Sequence, residues 1–276
     1  MSTKIQQGKQ PAPWLYLFGT MGWTYLFLGV VAFSGEGMYS FPLGLLTLLG
    51  GLGPAVVATL LVATGRWDER LDRSARAYWR RCFDPRSLSA GGYLWVFGLV
   101  LVLAGGPLIF DPEALGGGVF SPGPLVFLLV GFVFGALEEV GWRGYAQEAL
   151  QRRMPVVWAS LVIGVFWALW HVPLFFLTGS YQSELGLVTP EGAVFFAALV
   201  VGSPVYAWLY NKTGRAVLAV ILYHGVGNVA RELVPDVANW AEFGVEAALA
   251  LAVVAVGWGV MSRRQDAQPP SCTRRP

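Results

Sequence analysis

The chain has 276 residues, of which 55% are hydrophobic and 13% charged, with a formal net charge of +2. Soluble globular domains carry about 25% charged residues, so this sequence has too little polarity to clothe one or two water-soluble domains. Disorder and collagen-like repeats are excluded by the same numbers. The two cysteines, Cys82 and Cys272, both fall in segments read as cytoplasmic and do not make a disulfide framework or a cysteine zinc site. A polytopic membrane protein remains.

Apolar stretches of about 20 residues give about 30 Å of helix and mark bilayer spans. Eight are legible in chain order: Trp14–Phe33, Phe41–Thr64, Gly91–Phe110, Pro122–Trp142, Val156–Leu177, Ala193–Tyr210, Arg215–Ala230 and Phe243–Met261. The first is too long for a signal-peptide core and is read as a retained helix. With the N-terminus inside, every basic residue except Arg231 falls in an inside segment, which sets an N-in, C-in orientation by the positive-inside rule. The expected fold class is therefore all-α, a polytopic transmembrane bundle of about eight spans.

Between the second and third spans, Leu71, Ala75, Tyr78, Trp79, Cys82 and Phe83 share one helical face, while Arg70, Arg73, Arg76, Arg80 and Arg81 lie mostly elsewhere. This pattern predicts an amphipathic helix near residues 68–83, lying in the cytoplasmic interface against anionic lipid. The bland alternative is that the charges only enforce topology. Trp14, Trp23, Trp95 and Trp240 read as interfacial anchors or packing. Residues 262–276 read as a disordered cytoplasmic tail. Cys272 is five residues from the C-terminus, so the chain is not itself a CAAX substrate by sequence.

An ionisable side chain inside a span costs a few kcal/mol and needs an explanation. Such groups concentrate in three helices: Glu138, Glu139 and Arg143 in the fourth, His171 in the fifth, and His224 with Asn228 in the seventh. His171 and His224 are the only histidines. Glu139 and Arg143 are one turn apart and can pair, whereas Glu138 points about 100° away and is left as the unpaired carboxylate. An unpaired glutamate suits a general base. His224 and Asn228, again one turn apart, present two polar groups to one cavity, and Trp167 sets an aromatic wall one turn before His171. A carboxylate, two imidazoles and a carboxamide suit water activation and oxyanion stabilisation. Counting about 1.5 Å per residue from the helix ends, His171 comes out roughly 14 Å deeper than Glu138. A common site therefore requires a kink near Pro173 or an interfacial start for Val156–Ser160. Gly131 and Gly135 read as a small-x3-small face that admits a close neighbour helix.

The motifs Glu138-Glu139-x3-Arg143, Trp167-x3-His171 and His224-x3-Asn228, in this order and in separate spans, resemble those of the CPBP family of intramembrane proteases, also called the CAAX-protease or abortive-infection family. Trp167 stands where the family usually has Phe. The resemblance implies a catalytic core over 122–232, preceded by N-terminal spans (1–121) and followed by a last span within 233–261. It also implies intramembrane proteolysis in which Glu138 and His171 activate water, His224 and Asn228 bind the oxyanion, and Glu139–Arg143 is a structural ion pair. No cofactor is assigned with certainty. Two His and one Glu form a workable zinc set, Glu138, His171 and His224, but no local His-Glu-x2-His spacing is present.

The expected partners are the bilayer and a membrane-associated peptide or protein substrate, CAAX-type or leader-peptide, with no nucleic acid. The expected location is a multi-pass position in the membrane, the cell (inner) membrane if the source is prokaryotic, with the site facing the cytoplasmic side. Two rival readings use the same residues: a proton- or ion-coupled transporter, and a catalytically silent scaffold or immunity protein.

Overall fold

The computed structural model describes residues 10–110, 112, 125–233 and 239–266, and among these all regular structure is helical. The described residues form thirteen α-helices in order: α1 Pro13–Ser34, α2 Leu43–Gly51, α3 Gly53–Ala63, α4 Ala75–Cys82, α5 Ala90–Gly105, α6 Leu125–Gly141, α7 Glu148–Leu150, α8 Val156–Trp170, α9 Tyr181–Leu185, α10 Pro190–Lys212, α11 Val217–Leu233, α12 Asn239–Val256 and α13 Trp258–Met261. Lys4, Lys9, Cys272 and residues 267–276 of the expected tail lie outside the described residues.

Among the described residues, five segments are long and apolar enough to cross a membrane: Pro13–Ser34, Ala90–Ile109, Val156–Phe176, Pro190–Lys212 and Asn239–Val256. The stretch expected as one span over Phe41–Thr64 is instead two helices, α2 and α3, meeting at 58°. Pro54, near the start of α3, lacks the N–H that would continue the hydrogen-bond ladder across this corner. Counting the bent pair as one gives six spans. Helices also stand at the fourth and seventh expected spans, as α6 and α11, each with 17 described residues.

The centre of the bundle is built around α6, which packs on α11 and α3, and around α10, which packs on α8 and α12. Close approach is decisive where α6 meets the N-terminal helices. A Cβ on Gly141 would overlap the carbonyl oxygen of Pro54 and the hydroxyl of Tyr16. From Glu138 to Gln151 every residue is buried. The stretch read as a cytoplasmic loop after Trp142 instead continues the helix. It passes through a π-helical turn, Trp142–Gln147, into α7.

That extension ends in an ionic layer. Glu148 accepts from Arg152 at 2.9 Å, from Arg215 at 3.1 Å and from the Tyr210 hydroxyl at 3.0 Å. Arg152 reaches Asp68 at 2.9 Å, and Asp68 also holds Arg70 through two side-chain hydrogen bonds. Arg215 takes a left-handed backbone conformation (φ 66°), which costs a non-glycine residue about 1–2 kcal/mol. Its bond to Glu148 offsets that cost.

The amphipathic segment is docked on the protein. Ser74 caps α4, and the buried side chains of Tyr78 and Cys82 close over Gly144. The Tyr78 hydroxyl donates to the Val140 carbonyl, and Arg81 pairs with Asp72 at 2.8 Å. Arg73, Arg76 and Arg80 keep to the exposed face. Burial pushes the Cys82 thiol up to about 12, so it is a packing residue. Order also runs past the boundary expected at residue 261: the Arg263 carbonyl accepts from the Val156 N–H, and the Gln265 N–H donates to the Gln151 carbonyl.

Gly141→Ala is expected to destabilise the protein by about 1–3 kcal/mol or more, because the obstacle includes backbone. Gly29→Ala, with open space around its Cβ, is expected to be near neutral; denaturant unfolding in detergent compares the two. The hydrogen bonds from Arg70, with Arg152 alongside, hold the Asp68 carboxyl at about 2, below its ordinary value. A depressed carboxyl contributes stability above its unfolded pKa, roughly 3.9, and loses it as pH falls through the folded value. Thermal stability should therefore decline between roughly pH 4 and 2, and Asp68→Asn should flatten that part of the curve. The effect should be modest and salt-sensitive because Arg70 is exposed.

Candidate active site

Trp167 is the common neighbour of the site. Its indole Nε1 donates to Glu138 Oε2 at 2.8 Å, and its backbone carbonyl accepts from His171 Nδ1 at 2.8 Å. Its ring stands 5.3 Å from that of His224 and 6.1 Å from that of His171, centroid to centroid. The α-helix of the fifth span ends at Trp170, His171 occupies the cap position, and the chain continues as a 3-10 turn, Val172–Phe176, with Pro173 near its start. His171 thus sits at a helix end, which is the interruption that a shared site demands.

The tautomers follow from the partners. A carbonyl only accepts, so His171 Nδ1 carries the proton and Nε2 keeps its lone pair in the neutral ring. Edge-on contacts from Trp170 (4.8 Å) and Phe195 (5.2 Å) fix that ring further. His224 Nδ1 meets Glu139 Oε1 at 2.9 Å, which orients the second imidazole and leaves its Nε2 for the site.

Glu139 therefore does more than close a helix-end pair. The same Oε1 accepts from Arg143 at 2.8 Å, with both partners fully buried. Arg143 also donates to Ser203 at 3.3 Å, and its guanidinium lies against the rings of Trp167 (4.7 Å) and Tyr206 (4.1 Å), which meet each other edge to face. Such desolvated cation–π contacts contribute about 2 kcal/mol or more each. Sequence reasoning missed Ser203 and Tyr206 because it searched for ionisable groups. The signal available was a hydroxyl pair three residues apart in an otherwise apolar helix. It also treated Trp167 as a wall and missed its N–H, which the family's usual Phe lacks.

Gly135 admits α11: a Cβ added there would lie 3.1 Å from the His224 ring and 3.0 Å from Asn228 Nδ2. Asn228 Nδ2 donates to the Gly131 carbonyl at 3.0 Å, which fixes the amide. The two small residues thus seat the His224-x3-Asn228 motif against α6.

The zinc set does not fit. Among the described residues no three His, Cys, Asp or Glu side chains gather as a metal-ligand group.

With this geometry in hand, the comparisons define the class. Residues 120–230 match the family described as type II CAAX prenyl endopeptidase Rce1-like. The chain is 30% identical over 230 residues to the CAAX prenyl protease 2 of Methanococcus maripaludis, covering 80% of this chain and 84% of that protein. The chain belongs to the CPBP/CAAX protease family of membrane proteins.

Removing the Glu139 carboxylate strands Arg143 in the interior. Glu139→Ala is expected to cost about 3–5 kcal/mol of stability. A Glu139→Leu/Arg143→Met double variant should cost clearly less than the two single changes summed, as read from unfolding in detergent by a double-mutant cycle.

Proposed function

We propose that this protein is an intramembrane endopeptidase that hydrolyses peptide bonds of membrane-associated substrates, CAAX-type C-terminal segments foremost, by water activated on Glu138. The observation that carries the reading is the convergence of Glu138, His171 and His224 on Trp167 inside a buried, apolar bundle. The relative's name supports the substrate class.

In this mechanism the Oε1 of Glu138 takes a proton from a water molecule, and His171 Nε2 holds that water by accepting its other hydrogen. The resulting hydroxide adds to the scissile carbonyl. Charge builds on the carbonyl oxygen, and His224 and the Asn228 amide stabilise it. The Glu139 carboxylate orients the His224 ring while Arg143 holds that carboxylate. Glu138 then returns its proton to the departing amine as the tetrahedral intermediate collapses. The Trp167 indole keeps Glu138 aimed at the water. In this reading the catalytic groups lie in the cytoplasmic half of an N-in, C-in bundle, where a membrane-associated substrate reaches them. The core over 122–232 then carries the chemistry and the flanking spans support it.

The test is cleavage of a lipid-anchored CAAX peptide by the purified protein in proteoliposomes. Glu138→Gln should reduce kcat by about 10²–10⁴-fold with the fold retained. Trp167→Phe should reduce it about tenfold, the loss of one charge-assisted hydrogen bond. Cleavage that persists unchanged in Glu138→Gln, or proton flux without cleavage in the wild type, would overturn the reading.

A further inference from the structure

The helix end that carries His171 is held by α1, which lies outside the stretch that matches the protease family. Trp170, the neighbour of His171 in the chain, is buried, and a buried indole N–H needs an acceptor. It donates to Thr24 Oγ1 at 2.7 Å. The fully buried Thr24 hydroxyl gives its own proton to the Gly50 carbonyl at 2.8 Å, in the last turn of α2. A hydroxyl has one proton to donate, so these two bonds fix its direction. A Cβ on Gly53 would overlap that hydroxyl, so glycine at the start of α3 lets the corner between α2 and α3 close around Thr24.

The next residue of α1 acts on the same helix end. The Tyr25 hydroxyl donates to the Leu169 carbonyl at 2.6 Å, in the last turn of α8, where carbonyls lack partners further along the helix. Beyond His171 the support continues: Leu28, Val31 and Met38 cluster with Leu177, and the Met38 N–H donates to the Thr178 carbonyl at 3.0 Å. Anchors from α1 and the segment after it therefore stand on both sides of His171. The His171 ring meets the Trp170 ring edge to face, 4.8 Å apart and at 88°. With Nδ1 committed to the Trp167 carbonyl, the direction of Nε2 depends on what the ring rests against, and Trp170 is closer than Phe195. A shift of the Trp170 indole is thus passed to His171 Nε2.

We propose that Thr24 is a positioning residue for His171, acting through the Trp170 indole to aim His171 Nε2 at the attacking water. The role in catalysis rests on the proteolytic reading above; the coupling of Thr24 to the His171 ring does not. Thr24 itself touches neither water nor substrate in this arrangement. A displacement of a reacting group by about 1 Å can cost up to about a hundredfold in rate, so a single remote hydroxyl is enough to matter.

The experiment uses the full chain in proteoliposomes for cleavage of a lipid-anchored CAAX peptide, and in detergent for NMR of isotopically labelled histidine ring nitrogens. His171 and His224 are the only histidines, so the labelling reports these two rings alone, and a His171→Gln protein assigns them. Thr24→Val, similar in shape but without a hydroxyl, should lower kcat and kcat/KM together by about tenfold or more. It should also shift the His171 resonances and leave those of His224 in place. Thr24→Ser, which keeps the hydroxyl, should restore both readouts. Trp170→Phe removes the donor while leaving the Thr24–Gly50 bond, and should reproduce the loss if Thr24→Val does not fold. Trp23→Phe, whose indole instead bonds the Leu49 carbonyl, should keep kcat. Unchanged kcat and unchanged His171 resonances in Thr24→Val and Trp170→Phe would overturn the proposal. So would an equal loss of kcat in Trp23→Phe, a loss that Thr24→Ser shares, or a shift of both histidine rings alike. If the wild type cleaves no CAAX peptide while the His171 resonances still follow Thr24, the proteolytic reading falls and the coupling stands.

Discussion

The fully buried carboxylate of Glu139 is the constraint on which the interior rests. One oxygen serves two donors, Arg143 from the next turn of its own helix and His224 from α11. A charge this deep is tolerated only when paired, and the pairing recruits further support: Ser203 bonds the guanidinium, and the rings of Trp167 and Tyr206 pack against it. Four elements, α6 with its π-turn, α8, α10 and α11, are thereby fixed around one ion pair. The groups proposed to act on substrate occupy the rim of that assembly.

The second support is distant from the site and polar in a different way. Glu148, Asp68 and Asp72 with their arginines join the segment before α4, the end of α7 and the turn between α10 and α11. A basic, amphipathic stretch that would suit the surface of a bilayer is instead used to clamp the protein's own helices. Its buried face supplies Tyr78 and Cys82 to the π-turn, while its outward arginines remain available to lipid.

Much of this was legible in the sequence. The apolar runs, the scarcity of charge and the three motifs specify helices and candidate residues, because a polar group in a membrane span stands out against an apolar background. The spacing of Glu139 and Arg143 was sufficient to anticipate their contact, and the Gly131/Gly135 face to anticipate a close neighbour. What was hidden is what periodicity cannot encode. Trp167 looks like any core aromatic until its N–H has a direction. Ser203 and Tyr206 carry no charge to betray them. The bend at Leu52 lies inside a continuous hydrophobic run, and the continuation of α6 beyond Trp142 was obscured because its arginines resemble loop residues. Arg152 and Arg215, counted toward orientation, have a further role of the same hidden kind: hydropathy counts charges without seeing that their partner, Glu148, stands within reach.

The π-turn at Trp142–Gln147 has a mechanical consequence. An extra residue in the turn advances the phase of everything that follows, so that Glu138 and Glu139 face α8 and α11 while Glu148, on the same rod, faces Arg152 and the α10–α11 turn. Both ends of the rod are keyed, one by the imidazole of His224 and the other by the guanidinium of Arg215. Torsion applied at either key must be carried through six π-helical residues to the other. The face proposed to act on substrate and the polar clamp therefore keep a fixed angular register, and a lost or gained residue in that turn would put one of them out of mesh.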